Sequence, residues 1–264
     1  MAKPIPQVVL FGDSLFQGST DLLDGFSFQA ALQSHCIRRL DVVNRGLSGY
    51  NTSQALKALP DMFVAPSETG PHLEYLFILF GANDACVRLP TNTQQHVPLD
   101  TFAANLRALA THPLIAAHRP RRVFLVTPPP LDEIRTRRLD LASGHPASQR
   151  QAKVSAAYSE AVRRVAAELE GAVELVDLYK AIMDVAVAKT TGAVGATGSL
   201  LGDPECGQRG HLEHLLPDGL HMSGEAYRIF FAIVKPLIGK EWEEAPPEDR
   251  AGYVLPDWRV ASPR

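Results

Sequence analysis

QVVLFGDSL, residues Gln7–Leu15, is the stretch on which the fold is decided. Val8 to Phe11 form an unbroken apolar run, with no polar residue alternating through it. A short continuous run of this kind reads as a strand covered on both faces, as in a parallel sheet. Gly12 stops it, and Asp13 and Ser14 follow at its carboxyl end. In an open α/β sheet, ligands bind beyond the carboxyl ends of the strands. The same nine residues therefore suggest both a strand and a place for chemistry.

The pattern repeats along the chain. Leu40–Asn44 (LDVVN) is stopped by Arg45-Gly46, Glu74–Phe80 (EYLFILF) by Gly81, and Arg122–Thr127 (RVFLVT) by three prolines; Val173–Asp177 (VELVD) is the fifth run. Helical spacing of apolar residues appears at Phe26–His35, Ser53–Leu59 and Leu99–Thr111. Gln149–Glu170 is the longest such stretch, with Val154, Ala157, Ala161, Val165 and Leu169 on one stripe. Ser223–Leu237 is the last, and Ser223 is its expected N-cap. Strands alternating with helices predict an α/β domain, and five strands in this order fit a flavodoxin-like sheet. Pro128–Ser148 and the Gly-rich Thr190–Gly210 read as loops, the second as mobile or laid over the surface. The expected organisation is one domain over 1–240, with 190–216 as an inserted loop able to act as a lid. A tail, 241–264, then wraps the domain or serves a contact.

Composition narrows the function. The 264 residues are 45% hydrophobic and 21% charged, enough apolar material for a packed core. Lys plus Arg number 26 against 29 for Asp plus Glu. With no basic excess to hold a polyanion, nucleic-acid binding is not expected. No window approaches the apolar length of a membrane span. The opening MAKPIPQVVLFGDS lacks the pattern of a secretory signal, and Cys36, Cys86 and Cys206 lack metal-type spacing. Reduced thiols and a cytoplasmic protein are the expectation.

Polar residues beside glycines gather at the strand ends: Gly12-Asp13-Ser14-Leu15, Asn44-Arg45-Gly46, Gly81-Ala82-Asn83-Asp84 and, late in the chain, Asp218-Gly219-Leu220-His221. Ser14 reads either as a helix N-cap or as a nucleophile, which needs a nearby base. Among nine histidines, His221 differs because Asp218 stands three residues before it. A carboxylate there can accept the Nδ1 proton and leave Nε2 free to take one from a hydroxyl. The structural alternative is a helix cap and a surface histidine. His35, His72, His96, His112, His118 and His145 read as solvated, and His211 and His214 as part of the mobile loop. Backbone N–H groups at Ser14 and Gly46, with the Asn83 amide, could supply three donors to an oxyanion. Gly46 and Asn83 also read as plain turn residues. Asp13 is expected to hold the Ser14 loop through backbone amides, Asp84 to cap the segment after the third strand, and Arg45 to be an exposed arginine.

The four blocks, in this order from about Gln7 to Ile238, resemble those of the SGNH, or GDSL, hydrolases. Phe80-Gly81-Ala82-Asn83-Asp84-Ala85, Gln95-His96-Val97-Pro98-Leu99 with Asn105, and Thr127-Pro128-Pro129-Pro130 are similar to the isoamyl acetate-hydrolysing esterase branch. The resemblance implies a three-layer α/β/α flavodoxin-like fold with a mainly parallel sheet, and ester hydrolysis with no metal or other cofactor. It implies Ser14 as nucleophile, His221 as base and then acid, and Asp218 as the orienting carboxylate. Ser14, Gly46 and Asn83 would form the oxyanion hole, with Asp13 in support. The expected partner is a small-molecule ester of short or medium acyl chain; a homo-oligomer stays open. The long Thr190–Gly210 segment departs from the branch. Other readings are an acyltransferase or carbohydrate acetylesterase on the same fold, a two-metal phosphoesterase, and a binding module without catalysis.

Overall fold

The computed structural model describes residues 4–89, 94–191, 200–239, 242, 253–255 and 258. In chain order the elements are β1 (Gln7–Gly12), α1 (Ser14–Gln17), α2 (Phe28–His35), β2 (Asp41–Gly46), α3 (Thr52–Met62), β3 (Leu73–Leu79), α4 (Leu99–Ala110), α5 (Pro113–His118), β4 (Arg122–Val126), α6 (Glu133–Ala142), α7 (Ala152–Glu168), β5 (Glu174–Val176), α8 (Leu178–Lys189), α9 (Leu212–Leu215) and α10 (Gly224–Val234). The five strands form one sheet in the order β2-β1-β3-β4-β5, and every pairing is parallel.

Unbroken apolar strands bury both faces, because successive side chains point to opposite sides. Val8 and Leu10 of β1 enter one core with Tyr75, Phe77 and Phe124, closed by α2, α8 and α10. There Phe28 stacks on Phe230 with ring centroids 4.5 Å apart. Val9 and Phe11 enter the other, covered by α3, α4 and α7. Phe11 meets Phe63 and Phe80 edge-on at 5.4 and 5.1 Å. A fully buried residue of this size contributes roughly 1.5–3 kcal/mol, so two-sided burial drives the layering. The result is the expected three-layer α/β/α fold.

The strand order also places the functional edge. From β1 the chain passes outward to β2 and then crosses back to β3 on the other side of β1. The connections after β1 and β3 part at this point and leave a crevice at the carboxyl end of the sheet.

Several expectations change. Within the stretch read as a loop, Glu133–Ala142 is helix α6. It buries only Thr136 and so lacks an apolar stripe; Asp132 starts it by accepting from Arg135 N at 3.1 Å. Helix α8 has no counterpart in the sequence reading, although Leu178, Ile182 and Ala186 are buried at four-residue spacing behind the Asp177 cap. Residues 200–216 are pinned to the start of α6. Arg209 Nε bonds Asp132 Oδ2 at 2.6 Å, and Ile134 N donates to Gly202 O at 3.2 Å. His211 lies there at the head of α9 with Nε2 3.0 Å from Glu225 Oε1. Residues 192–199, the centre of the expected lid, lie outside the described residues. His118 is buried, not solvated: Nδ1 accepts from Leu73 N at 3.4 Å and Nε2 faces Val64 O at 2.9 Å. Of the tail, Tyr253 packs under Arg38 and Arg39, and Trp242 against His35. These contacts lie at the amino end of the strands, away from Ser14. Among the described residues no helix is long and apolar enough to cross a membrane.

Candidate active site

Ser14 is the first residue of α1, a four-residue turn set by its neighbour. Asp13 Oδ1 accepts from Leu15 N at 2.9 Å, and the Asp13 carbonyl accepts from Gln17 N at 3.0 Å. Tyr227 of α10 donates its hydroxyl to Leu15 O at 2.7 Å and ties the turn to the helix that packs beside it in the same core. Ser14 therefore projects from a rigid corner. Its Oγ lies 3.0 Å from His221 Nε2, and His221 Nδ1 lies 2.6 Å from Asp218 Oδ2. With Nδ1–H donating to the carboxylate, Nε2 is left to accept from the Ser14 hydroxyl. Residues 207 positions apart along the chain thus form one hydrogen-bonded row.

The Asp218–His221 turn is built for this contact. Asp218 Oδ1 accepts from Leu220 N at 2.9 Å and from His221 N at 2.7 Å, leaving Oδ2 for the imidazole. Asp132 N donates to Gly219 O at 2.9 Å, so the insert and α6 brace the turn from behind. Burial pushes the Asp218 carboxyl up, but the hydrogen bonds from the His221 ring and from the two amides outweigh it and hold it down at about 2. The bond to Asp218 raises the His221 pKa above its ordinary value, against the opposing effect of burial. The Asp218 and His221 side chains are 45% and 49% exposed, so the row opens to solvent.

Asn83, only 3% exposed, follows β3 on the far side of the crevice. Its Oδ1 accepts from Arg150 Nη2 at 3.1 Å and Gln95 Nε2 at 3.3 Å. Those donors fix the amide's orientation. One Nδ2 hydrogen goes to Tyr50 O at 3.0 Å, and the other has no acceptor among the described residues.

Gly46 requires a correction. Its N–H donates to Asn44 Oδ1 at 2.8 Å and is not available to a ligand. A Cβ at this position would fall 2.1 Å from Gln17 N, so the glycine serves close packing of β2 on α1. Gly49, three residues on, is linked to Asn83 through a shared donor. Its φ of +80° is a conformation that favours glycine. Its carbonyl accepts from the same Gln95 Nε2, at 3.1 Å, that bonds Asn83. Its own N–H has no acceptor among the described residues. The sequence signal was present in Leu47-Ser48-Gly49-Tyr50, but an assignment by residue type could not tell a packed glycine from a presented one.

Asp84 also differs from expectation. It is fully buried, and its Oδ1 accepts from Thr52 N at 3.0 Å, capping α3 and not the segment after β3. Burial raises Asp13 to about 7 and Asp84 to about 6. Arg45 is half-buried, not exposed, and lies over the Phe63 ring at 5.5 Å. Arg150 carries no signal of its own in the sequence, because the helical spacing reads as beginning at Gln149. The helix begins at Ala152, and Arg150 stands in the turn before it.

The GDSL-like Lipase/Acylhydrolase family model matches residues 10–229. An isoamyl acetate-hydrolyzing esterase 1 homolog of Bos taurus is 32% identical over 259 residues, 96% of this chain and 87% of the relative. The isoamyl acetate-hydrolyzing esterase of Saccharomyces cerevisiae is 30% identical over 260 residues, covering 95% and 93%. A lipase/acylhydrolase structure from Enterococcus faecalis superposes with a TM-score of 0.56 at 23% identity, over 90% of this chain and 97% of the other; that likeness concerns the fold.

Proposed function

Because the chain belongs to the GDSL-like lipase/acylhydrolase family, and is accordingly a carboxylic ester hydrolase, we propose that it is a serine esterase working through Ser14, His221 and Asp218. The observation that carries this reading is the 3.0 Å approach of Ser14 Oγ to His221 Nε2, with Asp218 behind it. Ser14 Oγ attacks the ester carbonyl as His221 Nε2 takes its proton. The carbonyl oxygen becomes an oxyanion and receives hydrogen bonds from Ser14 N–H, Gly49 N–H and Asn83 Nδ2. His221 then gives its proton to the departing alkoxide, and an acyl-Ser14 remains. Water enters, loses a proton to His221 and attacks the acyl carbon. The proton returns to Ser14 Oγ as the carboxylic acid leaves.

The preferred substrate in this reading is a small ester, a short acyl group on an aliphatic alcohol. Relatives named for isoamyl acetate align over nearly the whole chain and support that choice.

Ser14→Ala is expected to abolish p-nitrophenyl acetate hydrolysis while the thermal melt stays unchanged. A fluorophosphonate should label the parent protein and not the variant. Retained turnover in the variant would overturn the reading. Loss of the parent's activity in EDTA, with fluorophosphonate having no effect, would favour metal-dependent phosphoester chemistry instead.

A further inference from the structure

We propose that Arg150 is a positioning residue for this esterase, fixing and polarising the Asn83 carboxamide that receives the oxyanion. The proposal rests on the serine-esterase reading above. The Arg150 guanidinium donates through Nε to Ala82 O at 3.1 Å and through Nη2 to Asn83 Oδ1 at 3.1 Å. A planar fork that engages two successive residues fixes both in direction. With Gln95 Nε2 as a second donor on Oδ1, a flipped amide would place N–H groups against N–H groups. The Asn83 NH2 is therefore committed to the side of Tyr50 O and the open crevice.

Both hydrogen-bond partners of the Arg150 guanidinium are neutral carbonyl oxygens, and among the described residues no carboxylate in direct contact cancels its charge. A cation on the carbonyl end of an amide draws electron density toward that oxygen and makes the N–H groups better donors. Hydrogen bonds to a charged group are about twice as strong as neutral ones, which sets the scale of the effect. The same charge works in a small way against the upward shifts of His221, set by its bond to Asp218, and of Asp13, set by burial.

The arginine is itself held by the fold. Asp140 accepts from Gln149 N and from Gln149 Nε2, both at 2.8 Å. Val87 N donates to Gln149 O at 2.7 Å, and Ala152 N to Glu133 Oε2 at 2.8 Å. Residues on both sides of Arg150 are thus tied to α6 and to the loop after β3. A side chain serving only solubility would not need this bracing.

The test is a double-mutant cycle of Arg150→Met and Asn83→Ala on p-nitrophenyl acetate, with kcat and KM measured separately and folding checked by thermal melts. Arg150→Met should lower kcat roughly tenfold or more, with KM within about twofold, because the affected donor acts in the transition state. In the Asn83→Ala background the same change should cost under about threefold, the mark of two groups acting as one. The acid limb of kcat/KM should move to higher pH in Arg150→Met, since a charge that lowers the His221 pKa is gone. Arg150→Lys keeps the charge without the fork and should recover part of the loss; it takes the place of Met in the cycle if Arg150→Met does not fold. Fully additive losses would overturn the proposal, as would a raised KM at unchanged kcat or a loss confined to anionic esters. An impaired Asn83→Ala beside a fully active Arg150→Met sinks this inference alone, whereas an active Ser14→Ala sinks the reading beneath it.

Discussion

Asp218 offers the sharpest test, because its two oxygens do different work. Oδ2 faces His221 Nδ1 at 2.6 Å, and Oδ1 accepts the two amides that shape the turn. Replacing it with asparagine keeps an acceptor for those amides, whereas alanine keeps nothing. If turn geometry alone mattered, asparagine would be the milder change. The esterase reading gives the opposite order. An ion pair at 2.6 Å is worth about 6 kcal/mol at an effective dielectric of about 20. Both side chains are nearly half exposed, so water screens this to the range of a hydrogen bond to a charged group, about 1.5–3 kcal/mol, or roughly ten- to a hundredfold in rate. That is the expected loss of kcat in Asp218→Ala. In Asp218→Asn the amide NH2 donates to Nδ1 and moves the imidazole proton to Nε2. The base then has no lone pair for Ser14, and the loss should approach 10⁴-fold, the scale of a wrong tautomer. Steady-state hydrolysis of p-nitrophenyl acetate, with melts to confirm folding, decides the matter. An Asp218→Asn enzyme more active than Asp218→Ala would refute the role given to this carboxylate.

Other outcomes follow from the same geometry. The parent kcat/KM should fall as pH drops through the His221 pKa, with the limb above the ordinary value of 6.5, and Asp218→Ala should move that limb downward; a pH–rate profile that is flat across this range contradicts the base assignment. Gly46→Ala should destabilise the fold strongly, because its Cβ would fall 2.1 Å from Gln17 N; a melt within a degree or two of the parent would show that β2 and α1 do not pack this way. Asp13 is raised by burial from 3.8 to about 7, so its share of stability is full below the first value and is lost as pH rises through the second. Asp13→Asn keeps the acceptor for Leu15 N and removes the ionisation, so its melting temperature should gain on the parent's as pH climbs through that window; parallel melting curves across it would contradict a buried, ionising Asp13.

Much of the molecule can be read along the chain, and for a common reason. Continuous apolar runs such as Val8–Phe11 have nowhere to go but a sheet covered on both sides. Helices with a stripe, such as α7, announce themselves in the same way. Helix α6 does not, because its one buried residue leaves no period to detect and its start depends on Asp132. Helix α8 carries a stripe and a cap, but it follows directly on a strand of 3 residues, which leaves no break in the chain to mark its start. The buried His118 was hidden for a different reason. Its partners, Leu73 N and Val64 O, stand 45 and 54 positions away, and nothing local marks the site.

The order of residue types along the chain determined the α/β class, the five strands, and the serine, asparagine, aspartate and histidine that gather at one edge. These depend on hydrophobic periodicity and on chemistry intrinsic to each side chain. Which groups are free to act depended on the folded arrangement. Gly46 and Gly49 are the same residue type three positions apart, yet one N–H is held by Asn44 and the other has no acceptor among the described residues. Arg150 comes to Asn83 across 67 positions, on a segment that Gln149 ties both to Asp140 of α6 and to Val87 in the loop after β3. A hydrogen bond is decided by where both partners end up, and that is a property of the three-dimensional chain.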